Sequence, residues 1–237
     1  CDIAGRVTAD AAALTGLAAG TPVISGTADA AAEAISAGLA NPGDLMVMYG
    51  SSIFFILKTD RLYNSPQFWG TRFLEPNTYA VAGGMSTAGS LTRWFRDNFA
   101  GGELAAESAG GANAYAALAE LAAASPLGAH GLVALPYFAG ERTPMFDPDA
   151  KGLLLGLTLS HTRGDVYRAL LESVGYGIRH NLDAMRAEEM APARILAVGG
   201  GTLNRVWMQM VSDIAGIEQH IPAQQIGAAY GDAFLAG

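Results

Sequence analysis

The chain has 237 residues, 51% of them apolar and 15% charged, so it can bury a substantial core and is too apolar to be disordered. Fourteen basic residues against twenty-two acidic ones leave a net charge of −8 with no Lys/Arg cluster, which argues against nucleic acid and anionic membrane as partners. The longest apolar runs, such as 53–57 and 153–155, are far too short to span a bilayer, and no signal-peptide pattern is present.

Cys1 is the only cysteine, which rules out an intrachain disulfide and suits a reducing, cytoplasmic compartment. Thr8 caps a helix over Ala9 to Thr15 that Gly16 closes, and a β-branched strand follows at Pro22 to Ser25. After the Gly26-Thr27 turn, an alanine-rich helix begins near Asp29. Asn41, Pro42 and Gly43 then punctuate the chain. The apolar strand Leu45 to Tyr49 runs into Gly50-Ser51-Ser52 and returns as Ile53 to Thr59, which makes a hairpin over 44–59. Further strand is expected at Arg72 to Leu74 and Thr78 to Ala82.

Gly83 and Gly84 introduce a helix from about Ser86 to Phe99, with Leu91, Trp94, Phe95 and Phe99 on one face. A Gly/Ala-rich loop through Gly111 precedes a helix over Ala114 to Ala123, and Leu132 to Leu135 reads as a buried strand. The stretch YFAGERTPMFDPDAKG, with two prolines, has no periodicity and reads as a long structured loop. Thr162 opens the longest helix, to about Glu188, with Val166, Leu170, Val174, Ile178 and Leu182 as its apolar face. Ile195 to Val198 is a strand ending in Gly199-Gly200-Gly201, Asn204 to Ala215 a helix, Glu218 to Ile221 a strand, and Gly227 begins a final helix. This order predicts one α/β domain with a mixed sheet flanked by helices, without repeat or long linker.

Three places carry chemistry. A Gly-Ser-Ser turn can offer backbone N–H groups and hydroxyls to a phosphate. It can also be an ordinary hairpin turn, but its flanks LMVMY and IFFIL are apolar, as for a turn carried on buried strands. With so few basic residues, a phosphate would be met by backbone dipoles and a metal ion. Asp29 at a helix start is by spacing alone better explained as a cap. Gly199 to Asn204, with Glu218 further on, has the look of a dinucleotide-binding unit. Against this, Asn204 stands at the third-glycine position and Glu218 falls at the start of its strand. No Gly-Lys-Ser/Thr occurs, which excludes a Walker loop, and the four histidines lack ligand spacing. Glu141, Arg142, Asp147 and Asp149 read as a surface connection held by internal ion pairs rather than a metal or acid pair. Trp94, Trp207, Met208 and Met210 read as core.

Five pieces add a resemblance: GERTPMFDPDAKGLLLGLTLSH at 140–161, GGGTLNRVWMQMVSDIAG at 199–216, GAAYGDAFLAG at 227–237, AGSLTRWFRD at 88–97, and the opening stretch. In this order they resemble the C-terminal half of the FGGY family of carbohydrate kinases, on its xylulose kinase side, within the actin-like, ribonuclease H-like superfamily. The resemblance implies that residues 1–237 are a single nucleotide-binding domain without the family's N-terminal sugar-binding domain. A chain that starts without Met and stops inside a helix fits a fragment. The implied reaction is ATP-dependent phosphorylation of a sugar or polyol hydroxyl, with ATP and Mg2+ as cofactors. Asp29 would be the catalytic base, and Gly50, Ser51 and Ser52 the phosphate turn, with Ser51 where the family has Thr. Gly89 would contact the nucleotide, and Gly200, Gly201 and Asn204 would form the adenosine loop. No metal ligand falls in this chain, because the family's metal-anchoring aspartate lies in the other half. The implied partners are the sugar or polyol, the N-terminal domain of the same polypeptide, and a second copy in a homodimer. Two other readings remain: a nucleotide-gated chaperone or binding domain on the same fold, and a dinucleotide-dependent oxidoreductase fragment.

Overall fold

The structure, a computed structural model, describes residues 2–237; Cys1, on which the redox reading rests, lies outside them. In chain order the elements begin with β1 (Ile3–Arg6), α1 (Ala9–Thr15), β2 (Pro22–Ile24) and α2 (Asp29–Ser36). There follow β3 (Asp44–Tyr49), β4 (Ile53–Thr59), β5 (Trp69–Arg72), β6 (Tyr79–Met85), α3 (Gly89–Phe99), α4 (Gly101–Ser108) and α5 (Ala114–Ala124). The rest are β7 (Val133–Leu135), β8 (Leu153–Leu155), α6 (Arg163–Ala187), β9 (Arg194–Val198), α7 (Arg205–Ala215), β10 (Gln219–His220) and α8 (Ala228–Ala236). Their contacts fall into two compact units, one of the residues up to Gly38 with Gln224–Gly237, the other of Leu39–Ala223. Among the described residues no helix is long and apolar enough to cross a membrane.

In the smaller unit β1 pairs antiparallel with β2, Arg6 opposite Pro22. Thr8 accepts from Ala11 N and Gly16 closes α1 in the left-handed region, as the capping pattern predicts. Helix α2 packs on α8 with Ala32 and Ala34 buried.

The larger unit is built on the hairpin expected over 44–59. Its sheet has six strands in the order β10-β9-β3-β4-β6-β5. Strands β10, β9 and β3 run parallel, and β4, β6 and β5 are antiparallel. The register sets Leu45 opposite Leu57, Val47 opposite Phe55 and Tyr49 opposite Ile53. All six side chains are buried in the core with Leu170, Val174, Ile178 and Leu182 of α6. Helix α6 opens on the predicted Thr162, which forms a capping box with Asp165. Inside it, Arg168 pairs with Glu172 at 2.7 Å, both buried, and donates to Ala122 O and Ser125 O.

Several expectations are corrected. The strand placed at Arg72 to Leu74 lies earlier, as β5, because the turn to β6 falls at 73–78, where Phe73 N donates to Thr78 O and Asn77 adopts φ 61°. Gly83 and Gly84 do not open a helix. They continue β6, which passes β4 so closely that a Cβ on Gly84 would stand 2.5 Å from Ile53 O. Helix α3 starts only at Gly89. The Gly/Ala-rich loop contains α4, whose Glu103 is held by Arg163 at 2.9 Å. Strand β7 is buried only at Ala134; it pairs with β8 in a separate two-stranded sheet. Trp94 is not core: it is 36% exposed and packs edge-on against Phe99, while Leu91 and Phe95 face inward. Trp207, Met208 and Met210 are buried as expected.

Candidate functional site

The hairpin turn is closed by Gly50 N donating to Ser52 O at 3.0 Å. Its other carbonyls are used by the start of α3. Gly89 N donates to Gly50 O, and Ala88 N and Ser90 N donate to Ser51 O, each at 3.0 Å. The Ser90 hydroxyl adds a bond to Ser51 O at 2.7 Å. The carbonyls of the turn are therefore occupied while donors are left over. Among the described residues the N–H groups and hydroxyls of Ser51 and Ser52 make no hydrogen bond. A turn with spare N–H and O–H donors and no spare carbonyl suits an anion. A Cβ on Gly89 would stand 2.5 Å from Gly50 O, so the missing side chain lets α3 approach the turn.

A second turn is built at the end of β9. Gly199, at φ 93°, leads into a 3-10 turn over Gly200–Leu203. Asn204 then caps α7, its Oδ1 accepting from Trp207 N at 3.0 Å, and the Asn204 NH2 group has no partner among the described residues. Trp207 donates its indole N–H to Leu171 O and lies edge-on to Tyr49, which anchors this turn to β3.

The two turns share one cleft of about 800 Å³, whose lining includes Gly50, Ser51, Gly89, Gly200, Gly201 and Asn204. Six residues singled out from sequence are thus brought together. Ser52 is half-buried and outside the lining. Asp29 belongs to the smaller unit, where it is the first residue of α2, after the N-cap Ala28. It is exposed; its Oδ1 accepts from Ala30 N at 2.7 Å, and its Oδ2 has no partner among the described residues.

Other lining residues escaped the sequence reading. Tyr115, Ala116 and Ala119 of α5 with Leu203, Val206 and Trp207 give an apolar wall, and Arg93, Arg205 and Glu120 give charge. Neither Arg93 nor Arg205 makes an ion pair among the described residues, so the cleft lining carries two guanidinium groups besides the backbone dipoles considered from the sequence. The signal was local: Arg93 lies one helical turn after Gly89, and Arg205 follows the capping Asn204. A second cleft of about 570 Å³, along α7 and β10, shares only Arg205 with the first; Glu218 and Met208 line it, but none of the residues expected to act as base, phosphate turn or adenosine loop does.

In the 140–151 loop Arg142, Asp147 and Asp149 are exposed, as a surface connection requires, but no ion pair among the described residues holds it and Glu141 is buried. Thr143 is fully buried, its N donating to Gly84 O and its hydroxyl bonding Gly84 N and Asn181. Glu141 is buried and accepts from Ser86 N and Arg142 N. Burial pushes its carboxyl above the usual carboxylate range, with the N–H bonds and the Arg142 charge opposing. Asp147 accepts from Asp149 N and Ala150 N. Among the described residues no group of three His, Cys, Asp or Glu could hold a metal ion.

Comparison with known proteins gives the same architecture a family. Residues 45–237 match the model of the FGGY family of carbohydrate kinases, C-terminal domain. Ribulokinase from Mycolicibacterium smegmatis is 33% identical over 100% of this chain and 43% of its own length. Xylulose kinase from Rhodospirillum rubrum superposes with a TM-score of 0.86 at 40% identity, over 99% of this chain and 46% of that one. Plasmodium falciparum glycerol kinase, solved with ADP, superposes with a TM-score of 0.85 over 100% of this chain and 46% of that one; at 21% identity this likeness shows the fold alone. The chain thus spans less than half the length of these relatives. It belongs to the FGGY family of carbohydrate kinases, as that family's C-terminal domain.

Proposed function

We propose that the chain supplies the nucleotide side of an ATP-dependent sugar or polyol kinase. The spare donors of the Gly50–Ser52 turn, at the wall of a cleft also lined by Gly200, Gly201 and Asn204, carry this reading. The turn would hold phosphate oxygens, aided by Arg93 and Arg205, and the Gly200–Asn204 turn with the α5 wall would hold the adenosine. Asp29 would take the proton of the acceptor hydroxyl as that oxygen bonds to the γ-phosphorus, and the bond to the leaving ADP oxygen breaks. Its free Oδ2 supports the role. Mg2+ would arrive on the nucleotide, held mainly by phosphate oxygens and water, since the cleft lining carries a single carboxylate, Glu120. Most of the sugar contacts and the metal's anchoring carboxylate would come from the remainder of the polypeptide.

Asp29→Asn in the complete polypeptide tests the base directly. Turnover is expected to fall by ~10²–10⁴ with nucleotide affinity nearly unchanged. A variant that keeps a tenth or more of wild-type turnover at saturating sugar removes Asp29 from the role.

A further inference from the structure

Four acidic side chains of the larger unit are buried: Asp44, Glu141, Asp165 and Glu172. Three have an evident reason to be there. Asp44 pairs with Arg194, Glu172 pairs with Arg168, and Asp165 caps α6. Glu141 makes no ion pair among the described residues and lies outside the cleft lining, yet it is only 6% exposed. Burying an unpaired carboxylate is costly, and a connecting loop has no folding need for one.

Its bonds show what it holds. One carboxylate oxygen accepts from Ser86 N at 2.9 Å and from Arg142 N at 2.7 Å. Ser86 begins the segment whose next residues hold the Gly50–Ser52 turn, through the N–H groups of Ala88, Gly89 and Ser90. The same loop pins the segment elsewhere, with Thr143 bonded to both backbone groups of Gly84, and just ahead of the loop Pro136 O accepts from the Thr87 hydroxyl. Residues 84–90 are thus fixed on one side to the loop and on the other to the turn.

We propose that Glu141 is a positioning residue for the phosphate turn: through Ser86 N–H it fixes the segment 86–90 that holds the Gly50 and Ser51 carbonyls, and so aims the turn's spare donors. The proposal rests on the nucleotide reading of the cleft. It separates two parts of one ligand, because the phosphates depend on the turn while the nucleoside depends on the Gly200–Asn204 side. Loss of Glu141 should therefore weaken ADP and spare adenosine.

The experiment is calorimetric titration of the chain with ADP and with adenosine, for wild type and for three variants. Glu141→Ala removes the acceptor, and Glu141→Asp keeps a buried carboxylate but shortens its reach. Glu141→Gln keeps an amide oxygen that can accept the same N–H bonds. Glu141→Ala and Glu141→Asp should weaken ADP by about 10-fold, the scale of one lost hydrogen bond at a site, and adenosine by less than about twofold. Glu141→Gln should stay close to wild type for both. Equal loss of both ligands, no loss in a folded Glu141→Asp variant, or a Glu141→Gln as impaired as Glu141→Ala would each overturn the positioning role. A wild-type chain that binds neither ligand would overturn the nucleotide reading beneath it instead.

Discussion

At the scale of single residues, the glycines around the cleft show how one residue type serves different ends. A Cβ on Gly200 would meet nothing within 4 Å, whereas one on Gly201 would stand 2.8 Å from Tyr49 Cβ and 3.0 Å from the Trp207 ring. Gly200→Val should therefore leave the fold intact and fill space that a nucleotide needs, weakening ADP by about 10-fold or more. Gly201→Val should instead overpack the Tyr49–Trp207 contact at a cost of ~1–3 kcal/mol, read as a lower thermal midpoint. ADP titration and thermal denaturation of both variants check the pair; a Gly200→Val with unchanged affinity would place the nucleoside elsewhere. The sequence shows these glycines as turns at strand ends and does not show which face a ligand and which face a neighbour. Gly89 belongs with Gly201, since its space is taken by Gly50 O. Glu141 was misjudged for a related reason: a charged residue in a proline-rich loop carries no sign of its burial, which depends on Ser86, 55 positions away.

At the scale of elements, α6 was legible from end to end. Its apolar face repeats at helical spacing, and Thr162 with Asp165 gives the capping signature three residues apart. Asp165 also binds the Ser125 hydroxyl at 2.6 Å, which the sequence does not reveal. That bond leads, against burial, in holding its carboxyl down to about 2, with Thr162 and the His130 charge adding to it. A carboxyl depressed in the folded state contributes stability that is fully present above its ordinary value of 3.8 and is lost as pH falls toward about 2. Asp165→Asn should lower stability at neutral pH and flatten its dependence across that acid window. Denaturation midpoints measured from pH 5 to pH 2, about the window of this titration, check it; parallel curves would remove Asp165 as the source. Helix α4 escaped notice because Gly101 and Gly102 open it, and its hold comes from Arg163 on α6, a contact between distant segments. Strand β5 was displaced because edge strands are short and exposed, so neither alternation nor burial marks them.

At the scale of the whole molecule, the order of strands and helices was enough to predict a mixed sheet flanked by helices. The order β10-β9-β3-β4-β6-β5, with the hairpin at its centre, needed the structure, because parallel partners β3 and β9 lie 150 residues apart. The smaller unit leaves Ile3, Leu14, Leu17 and Val23 of its first segments, and Phe234 of α8, exposed. Exposed apolar surface of this kind is what interaction sites present. Phosphoryl transfer depends on positioning and on excluding water, so residues 1–237 alone should show no sugar-dependent ADP release over a panel of pentoses, hexoses and polyols. Sugar-dependent turnover that Asp29→Ala abolishes would show that this chain also carries the acceptor site.

The proposal that the cleft binds a nucleotide is tested most directly by amide NMR of the chain, titrated with adenosine and then with ADP. Adenosine should shift the amides of Gly200, Gly201 and Asn204 and leave the hairpin turn in place. ADP should shift the same amides and, in addition, those of Ser51 and Ser52, the donors the fold leaves without partners. Saturable ADP binding that moves neither Ser51 nor Ser52 would contradict the assignment of the hairpin turn as the phosphate site.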